Sequence, residues 1–385
     1  MAIKEAVEEK NNPHLYGSSM GSDNKKVFDR KWEDVENFPI DFVVTWVNDQ
    51  DVSWRSQKER YAQGMQIQQN QRNNGEELYR DWELLCYWFR TVETYAPWVR
   101  NVYLVTWGHV PQWLNLQMPK LRVIKHSDFI PQAYLPTFNS NAIELNLHRI
   151  PGLSEHFVYF NDDVFLARPV LPDDFFRNGQ PNYPAIVFPL HNEGNSCFSH
   201  TMFTVLGAIN EYYTPNIRRI ICNHPDKWFA KVYGRYCVAN LNAARLRYIP
   251  GMYFTHLAVP FCKTDFSRTW KTFPELLKET SEHKFRTAQD ALHFLITLQT
   301  IMEGHFQPVS IGHYGKSFGN PPKQLNEICT ALREKQYRCI CINDSPAVSW
   351  QDYFSLKLEI NKAMQDTFPK KSSFERDVRD FKVKE

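Results

Sequence analysis

The chain has 385 residues, enough for a sizeable core and more than one compact region. Its 43% hydrophobic and 23% charged residues are a soluble globular composition. With 45 basic against 43 acidic side chains, a net charge of +2, it is not a general nucleic-acid binder. No stretch approaches the roughly 18 apolar residues that a membrane-spanning helix needs.

The first 37 residues are polar and read as a loose arm or a short helix. They hold no apolar signal core, so a cytoplasmic, reducing setting is expected, with peripheral attachment at the inner face of the plasma membrane left open. Then "FPIDFVVTWVN" (38–48) reads as a buried strand. The Gln/Asn-rich stretch 53–75 suggests a surface helix and then a mobile loop. In 80–100, Leu84, Leu85, Trp88, Val92 and Tyr95 recur at helical spacing and Pro97 marks the end. Strands follow at 101–107 and within 121–130. Residues 139–153 read as a helix capped by Asn139 or Ser140 and stopped by Pro151. "HFVYFNDDVFLARPV" (156–170) supplies a fourth strand. The continuous apolar runs predict an α/β, Rossmann-like fold: a mostly parallel sheet flanked by helices.

Beyond 175 the pattern becomes helix-rich, with 281–304 expected as one long helix and "YGKSFGNPPKQL" as turns. These shifts divide the chain into an arm (1–37), an α/β core with acidic strand-end loops (38–175), an inserted and helical portion completing the site (176–345), and a C-terminal tail or helix (346–385).

There is no GxGxxG after the first strand, no GxxxxGK[ST], no HExxH and no GxSxG. What stands out is the doublet Asp162–Asp163 at a strand end. Two adjacent carboxylates either form an exposed turn or hold something positive, such as Mg²⁺ or Mn²⁺. In parallel sheets ligands bind beyond the carboxyl ends of the strands, so "TWVNDQD" and "NDD" are expected side by side. Asp41 is either a structural partner for an Arg or a site residue. His256, a lone histidine before an apolar run, is more often a structural residue than a catalytic one. Arg286 and Asp290 are spaced for a helical ion pair, or Arg286 forks onto phosphate. Asn343–Asp344 repeats the Asn–Asp theme after "YRCICI" and serves a turn as well as a ligand.

Taken together these segments resemble the four conserved blocks of the Stealth proteins. The matches are "IDFVVTWVNDQD", then "RDWELLCYWFRTVETYAPWVRNVYLVTWGHVPQWL" with "FNSNAIELNLHRIPGLSEHFVYFNDDVFL", then "THLAVPFCKTDF" through "FRTAQDALHFL", and finally "CINDS". The resemblance spans about 38–345. It implies a hexose-1-phosphoryltransferase of the bacterial capsule type. Such an enzyme moves a sugar 1-phosphate from a UDP-sugar to a hydroxyl of a growing oligo- or polysaccharide acceptor and releases UMP. It implies Asp162, Asp163, His256 and Arg286 as catalytic residues. Asn48, Asp49, Asp51, Asn139 and Asp290 would lie on the donor side, and Asp163, Asn343 and Asp344 would hold Mg²⁺ or Mn²⁺. Contact with the membrane or with capsule-assembly proteins would accompany such a role. The alternatives are a glycosyltransferase releasing UDP and a non-catalytic saccharide-binding protein.

Overall fold

The computed structural model describes residues 38–66, 75–191, 197–213, 217–313, 315–344 and 348–376. The expected N-terminal arm, most of the loop after the first helix and Ser345 lie outside these. The strands are β1 (Ile40–Thr45), β2 (Val102–Thr106), β3 (Leu121–Lys125), β4 (His156–Phe160), β5 (Val164–Leu166), β6 (Phe176–Arg177), β7 (Gln180–Tyr183), β8 (Val259–Cys262), β9 (Gln307–Pro308), β10 (Gly315–Phe318) and β11 (Cys339–Ile342). Five of them form the main sheet in the order β3-β2-β1-β4-β8. The first four run parallel, and β8 pairs antiparallel to β4.

Strand alternation buries both faces of this sheet, as its continuous apolar runs require. Phe42, Val44, Leu104, Val158 and Phe160 point into one core. Val43, Tyr103, Val105, Phe157 and Tyr159 point into the other. The first core is covered by the Leu85–Tyr95 helix and by Tyr353, Leu356, Ile360 and Met364 of the Trp350–Thr367 helix. Within the C-terminal segment, Trp350–Thr367 is thus a helix packed into the core. The second core is covered by the Phe294–Met302 helix, whose residues are all buried.

Three expectations need correcting. The stretch 156–170 is two strands, because the chain turns at Asn161–Asp163 and β5 joins a separate sheet, antiparallel to β11. "GKSF" is not a turn but β10, parallel to β11, and Pro321 then opens a helix to Arg333. The helix expected over 281–304 exists only as Phe294–Met302. Upstream, the Asp290 carboxylate accepts from the Thr287 amide (3.0 Å) and hydroxyl (2.7 Å) and meets His283 Nδ1 at 2.6 Å. Such local side-chain bonds give the backbone an alternative to the helix.

Candidate active site

The parallel register places Val44 beside Phe160, so the loops leaving β1 and β4 are neighbours, as expected. The antiparallel edge strand adds a third element. His256 precedes β8, and because β8 runs against β4 its leading end lies at the carboxyl edge of the parallel strands. The small sheet adds a fourth: β11 pairs with β5, and the Ile342 amide donates to the Asp163 carbonyl at 2.9 Å. Residues far apart in the chain thereby meet at one edge.

Their contacts form a continuous network. The Tyr159 hydroxyl donates to Asn161 Oδ1 at 2.5 Å, and the Asn161 amide nitrogen donates to His256 Nε2 at 2.5 Å. That bond makes Nδ1 the protonated nitrogen of the neutral ring, and Cys341 Sγ lies 3.7 Å from it. The Cys341 thiol donates to Asp163 Oδ2 at 3.4 Å. Asp163 Oδ1 is buried without a hydrogen-bond partner and lies 3.9 Å from His256 Nε2. Asp163, His256 and Cys341 each offer one ligand atom within 4.8 Å of the others. Behind this layer, Glu144 lies 3.2 Å from the Tyr159 hydroxyl and bonds His293 Nδ1 at 2.7 Å.

The electrostatics follow from that packing. Burial first, then the charges of Asp163 and Asp81, push Asp162 well above the usual carboxylate range. Burial also lifts Asp81 to about 6, with Asp49 adding to the rise. Asp49 itself is raised by burial. Burial would raise Glu144 too, but the His293 hydrogen bond and charge, with Arg286 and His256 behind them, hold it below its ordinary value. Burial lifts the Cys341 thiol far up, helped by Asp163. Burial thus raises Asp162, Asp81 and Asp49 together, and a cation placed among them would favour their charged forms.

The expected site residues divide into two groups. Asp163 meets His256 directly, Asp162 stands beside Asp163, and the Asn48–Asp49 loop follows the end of β1. Arg286 is close enough to Glu144 and Tyr79 to influence both electrostatically, and its guanidinium donates to Ser140 Oγ at 2.6 Å. It does not form the helical ion pair with Asp290. Asn139 and Asp290, expected against the donor, are both fully buried, and the Asn139 amide donates to Asp290 Oδ2 at 2.7 Å. Their side chains are inside the protein and hold the Arg286 loop from beneath. Asp51 caps the Val52–Gly64 helix by accepting from the Trp54 amide at 2.9 Å. Asp344, expected at the metal, is gripped by Arg80 Nε (2.8 Å) and Nη2 (2.7 Å) and by the Trp82 indole (3.2 Å). Among the described residues the clustered ligand atoms are those of Asp163, His256 and Cys341. Asp41 is the Arg partner of the structural reading, bonded to Arg100 and to the Ser154 amide.

Sequence reasoning missed Asn161, Tyr159, Glu144, His293, Cys341 and Asp81. Glu144 had a signal: an acid inside the apolar run "NAIEL". Cys341 had none, since its partners are distant in sequence.

A parallel α/β sheet with carboxylates, an imidazole and a guanidinium gathered along its carboxyl edge has the makings of a transferase. The first and second conserved regions of the Stealth proteins match residues 38–66 and 78–183. A capsular polysaccharide phosphotransferase, WcwK of Streptococcus pneumoniae, is 38% identical over 340 residues, covering 88% of this chain and 98% of that protein. The exopolysaccharide phosphotransferase cps2G of Lactiplantibacillus plantarum is 36% identical over 350 residues, covering 88% and 97%. The receptor polysaccharide phosphotransferase WefC of Streptococcus gordonii is 35% identical over 340 residues, covering 87% and 98%. The chain belongs to the Stealth family and is an enzyme, a transferase. Among solved structures, the galactosyltransferase LgtC with donor and acceptor analogues aligns at a TM-score of 0.39 and 10% identity, over 85% of this chain and 95% of that one.

Proposed function

We propose that this enzyme transfers a hexose 1-phosphate, an N-acetylhexosamine 1-phosphate in the first instance, from a UDP-sugar to a hydroxyl of a capsular saccharide. The acceptor oxygen attacks the phosphorus that carries the sugar. The bond from that phosphorus to the bridging oxygen breaks, UMP leaves with the bridging oxygen, and the acceptor proton passes to the enzyme. The observation that carries this reading is the buried, unpartnered Asp163 Oδ1, 3.9 Å from His256 Nε2 in a chain whose relatives are phosphotransferases.

Each residue then has a task. Asp163 or His256 takes the acceptor proton. Asn161 fixes the His256 ring, Tyr159 fixes Asn161, and Glu144 lies behind Tyr159. Arg286 faces the diphosphate charge as it develops. Asp163 fits a divalent cation, Mg²⁺ or Mn²⁺, through its carboxylate; His256 and Cys341 lie within ligand reach, but the ring's Nε2 accepts from Asn161 and the thiol keeps its proton. When bound, that ion would offset the charge of the diphosphate. Asp344 fits it less well, since Arg80 already neutralises its carboxylate. Among the described residues no helix is long and apolar enough to cross a membrane; the reading places the protein in the cytoplasm, where it meets a saccharide acceptor at the inner face of the membrane.

The test is the nucleotide released from a panel of UDP-sugars with short capsule oligomers. UMP with a new phosphodiester in the phosphorus NMR spectrum is the expected result. UDP would make the enzyme a glycosyltransferase, and no nucleotide product from any donor would leave a saccharide-binding protein.

A further inference from the structure

The exposed apolar side chains of this protein are not scattered. Of the sixteen large hydrophobic residues exposed among the described residues, five lie within the short span 231–248. They are Val232 (46% exposed), Val238 (60%), Leu241 (52%), Leu246 (47%) and Tyr248 (48%). The same span exposes Lys231, Arg235, Arg245 and Arg247. From Lys227 to Thr264 the sequence has no acidic residue at all.

The local fold explains why these side chains face outward. The short Cys237–Ala243 helix buries Asn240 and Ala243. Asn240 is fully buried, and its amide donates to the Ala185 (2.7 Å) and Trp228 (2.6 Å) carbonyls while its oxygen accepts from the Val187 amide (2.8 Å). Those three bonds fix the helix's rotation. Val238 and Leu241, three residues apart on this helix, are thereby held outward, and Arg245 is exposed in the turn just beyond it. Just beyond, Arg247 stacks on Tyr248 at 5.3 Å. The chain then returns to the scaffold at Ile249, whose amide and carbonyl both bond Asn210, and reaches His256 a few residues later.

Isolated surface apolar residues need no explanation, but a patch of them rimmed only by cations within its own segment does. An apolar face flanked by Lys and Arg, with no acid in the run, matches an anionic lipid surface. Aliphatic side chains and a Tyr enter the headgroup region, and the cations pair with phosphate. We propose that the Lys231–Tyr248 surface docks the enzyme on an anionic phospholipid bilayer. This rests on the reading of the acceptor as a saccharide growing at a membrane. It adds the surface that meets the bilayer and its short covalent path to His256.

The test is flotation of the full chain with vesicles of phosphatidylglycerol mixed with an equal part of phosphatidylcholine, and with vesicles of phosphatidylcholine alone. Wild-type protein should float with the anionic vesicles, detach at high salt, and stay behind with neutral ones. Leu241→Glu, and separately Arg245→Glu with Arg247→Glu, should each weaken binding about tenfold or more, with circular dichroism unchanged and phosphotransfer to a short soluble acceptor intact. No flotation, or equal flotation with neutral vesicles, overturns the proposal. So does a wild-type dimer in sedimentation that Leu241→Glu dissolves, because the patch would then cover a second copy. Competition by a soluble acidic polysaccharide at low concentration overturns it as well. Vesicle binding with no sugar-phosphate transfer would refute the proposed reaction and leave the docking surface standing.

Discussion

At the scale of single residues, Asp163 carries the most. Its main-chain carbonyl is fixed by β11, its Oδ2 accepts from Cys341, and its Oδ1 has no hydrogen-bond partner among the described residues. Asp163→Asn keeps the shape and removes the charge. Transfer should be abolished with the melting temperature nearly unchanged, and calorimetry with UDP-sugar and Mg²⁺ separates the roles. Retained donor binding marks a base, and lost binding marks a metal ligand. A second residue sets a pH dependence. Burial holds His126 neutral, its pKa lowered to about 3. The unfolded chain protonates this ring near pH 6.5 and the folded one does not, so the fold loses stability as pH falls below about 6.5. From pH 7 to 5 this one group should cost about 2 kcal/mol. Asp81 works the other way, because its raised pKa makes its contribution fade as pH climbs through about 6. Comparing His126→Gln with wild type by urea unfolding at both pH values isolates the histidine. The variant's loss on acidification should be smaller by about 2 kcal/mol.

At the scale of elements, the loop from His283 to Asp290 separates support from chemistry. Asp290 is fully buried and bonded to Asn139, Thr287 and His283. Asp290→Ala leaves those donors unsatisfied and should lower stability by about 3 kcal/mol. Arg286→Ala should do the opposite: a melting temperature close to wild type and a rate about a hundredfold lower, equivalent to about 3 kcal/mol. Near-normal turnover in Arg286→Ala with a collapsed melting point would make Arg286 a structural residue. This loop also shows what the sequence hides. Apolar runs such as "DFVVT" and "NVYLV" announce strands because both faces of the sheet are covered, so periodicity and burial agree. The spacing of Arg286 and Asp290 suggested a helical pair because only local partners are visible along a chain. Asp290 instead bonds Thr287 and His283 nearby, and Asn139, which lies 151 residues away. The doublet Asp162–Asp163 was legible for the same reason in reverse: its oddity is local, a charge pair interrupting an apolar run.

At the scale of the molecule, Arg80 and Asp344 join the region before the second helix to the segment after the last strand. Both side chains are largely buried, at 4% and 10% exposed, and Arg80 also donates to the Val348 carbonyl at 3.1 Å. Breaking a buried pair by removing one partner costs about 3–5 kcal/mol. Arg80→Ala should therefore unfold at markedly lower denaturant, and hydrogen exchange should rise first in β11 and the Trp350–Thr367 helix.

The small sheet has a further consequence, in the order of synthesis. Asp163 leaves the ribosome long before Cys341 and Ile342, yet its carbonyl and carboxylate are held by them. The parallel strands β1 to β4 can pair as soon as the first half of the chain is out, while the doublet at their edge stays without its clamp until β11 arrives. A nascent enzyme of this design has its scaffold early and its reactive edge last. Chains released short of residue 339 should retain β-structure by circular dichroism and release no UMP. A stalled or truncated product lacking β11 would thus have a scaffold without a completed edge, and only a chain read past β11 would switch on.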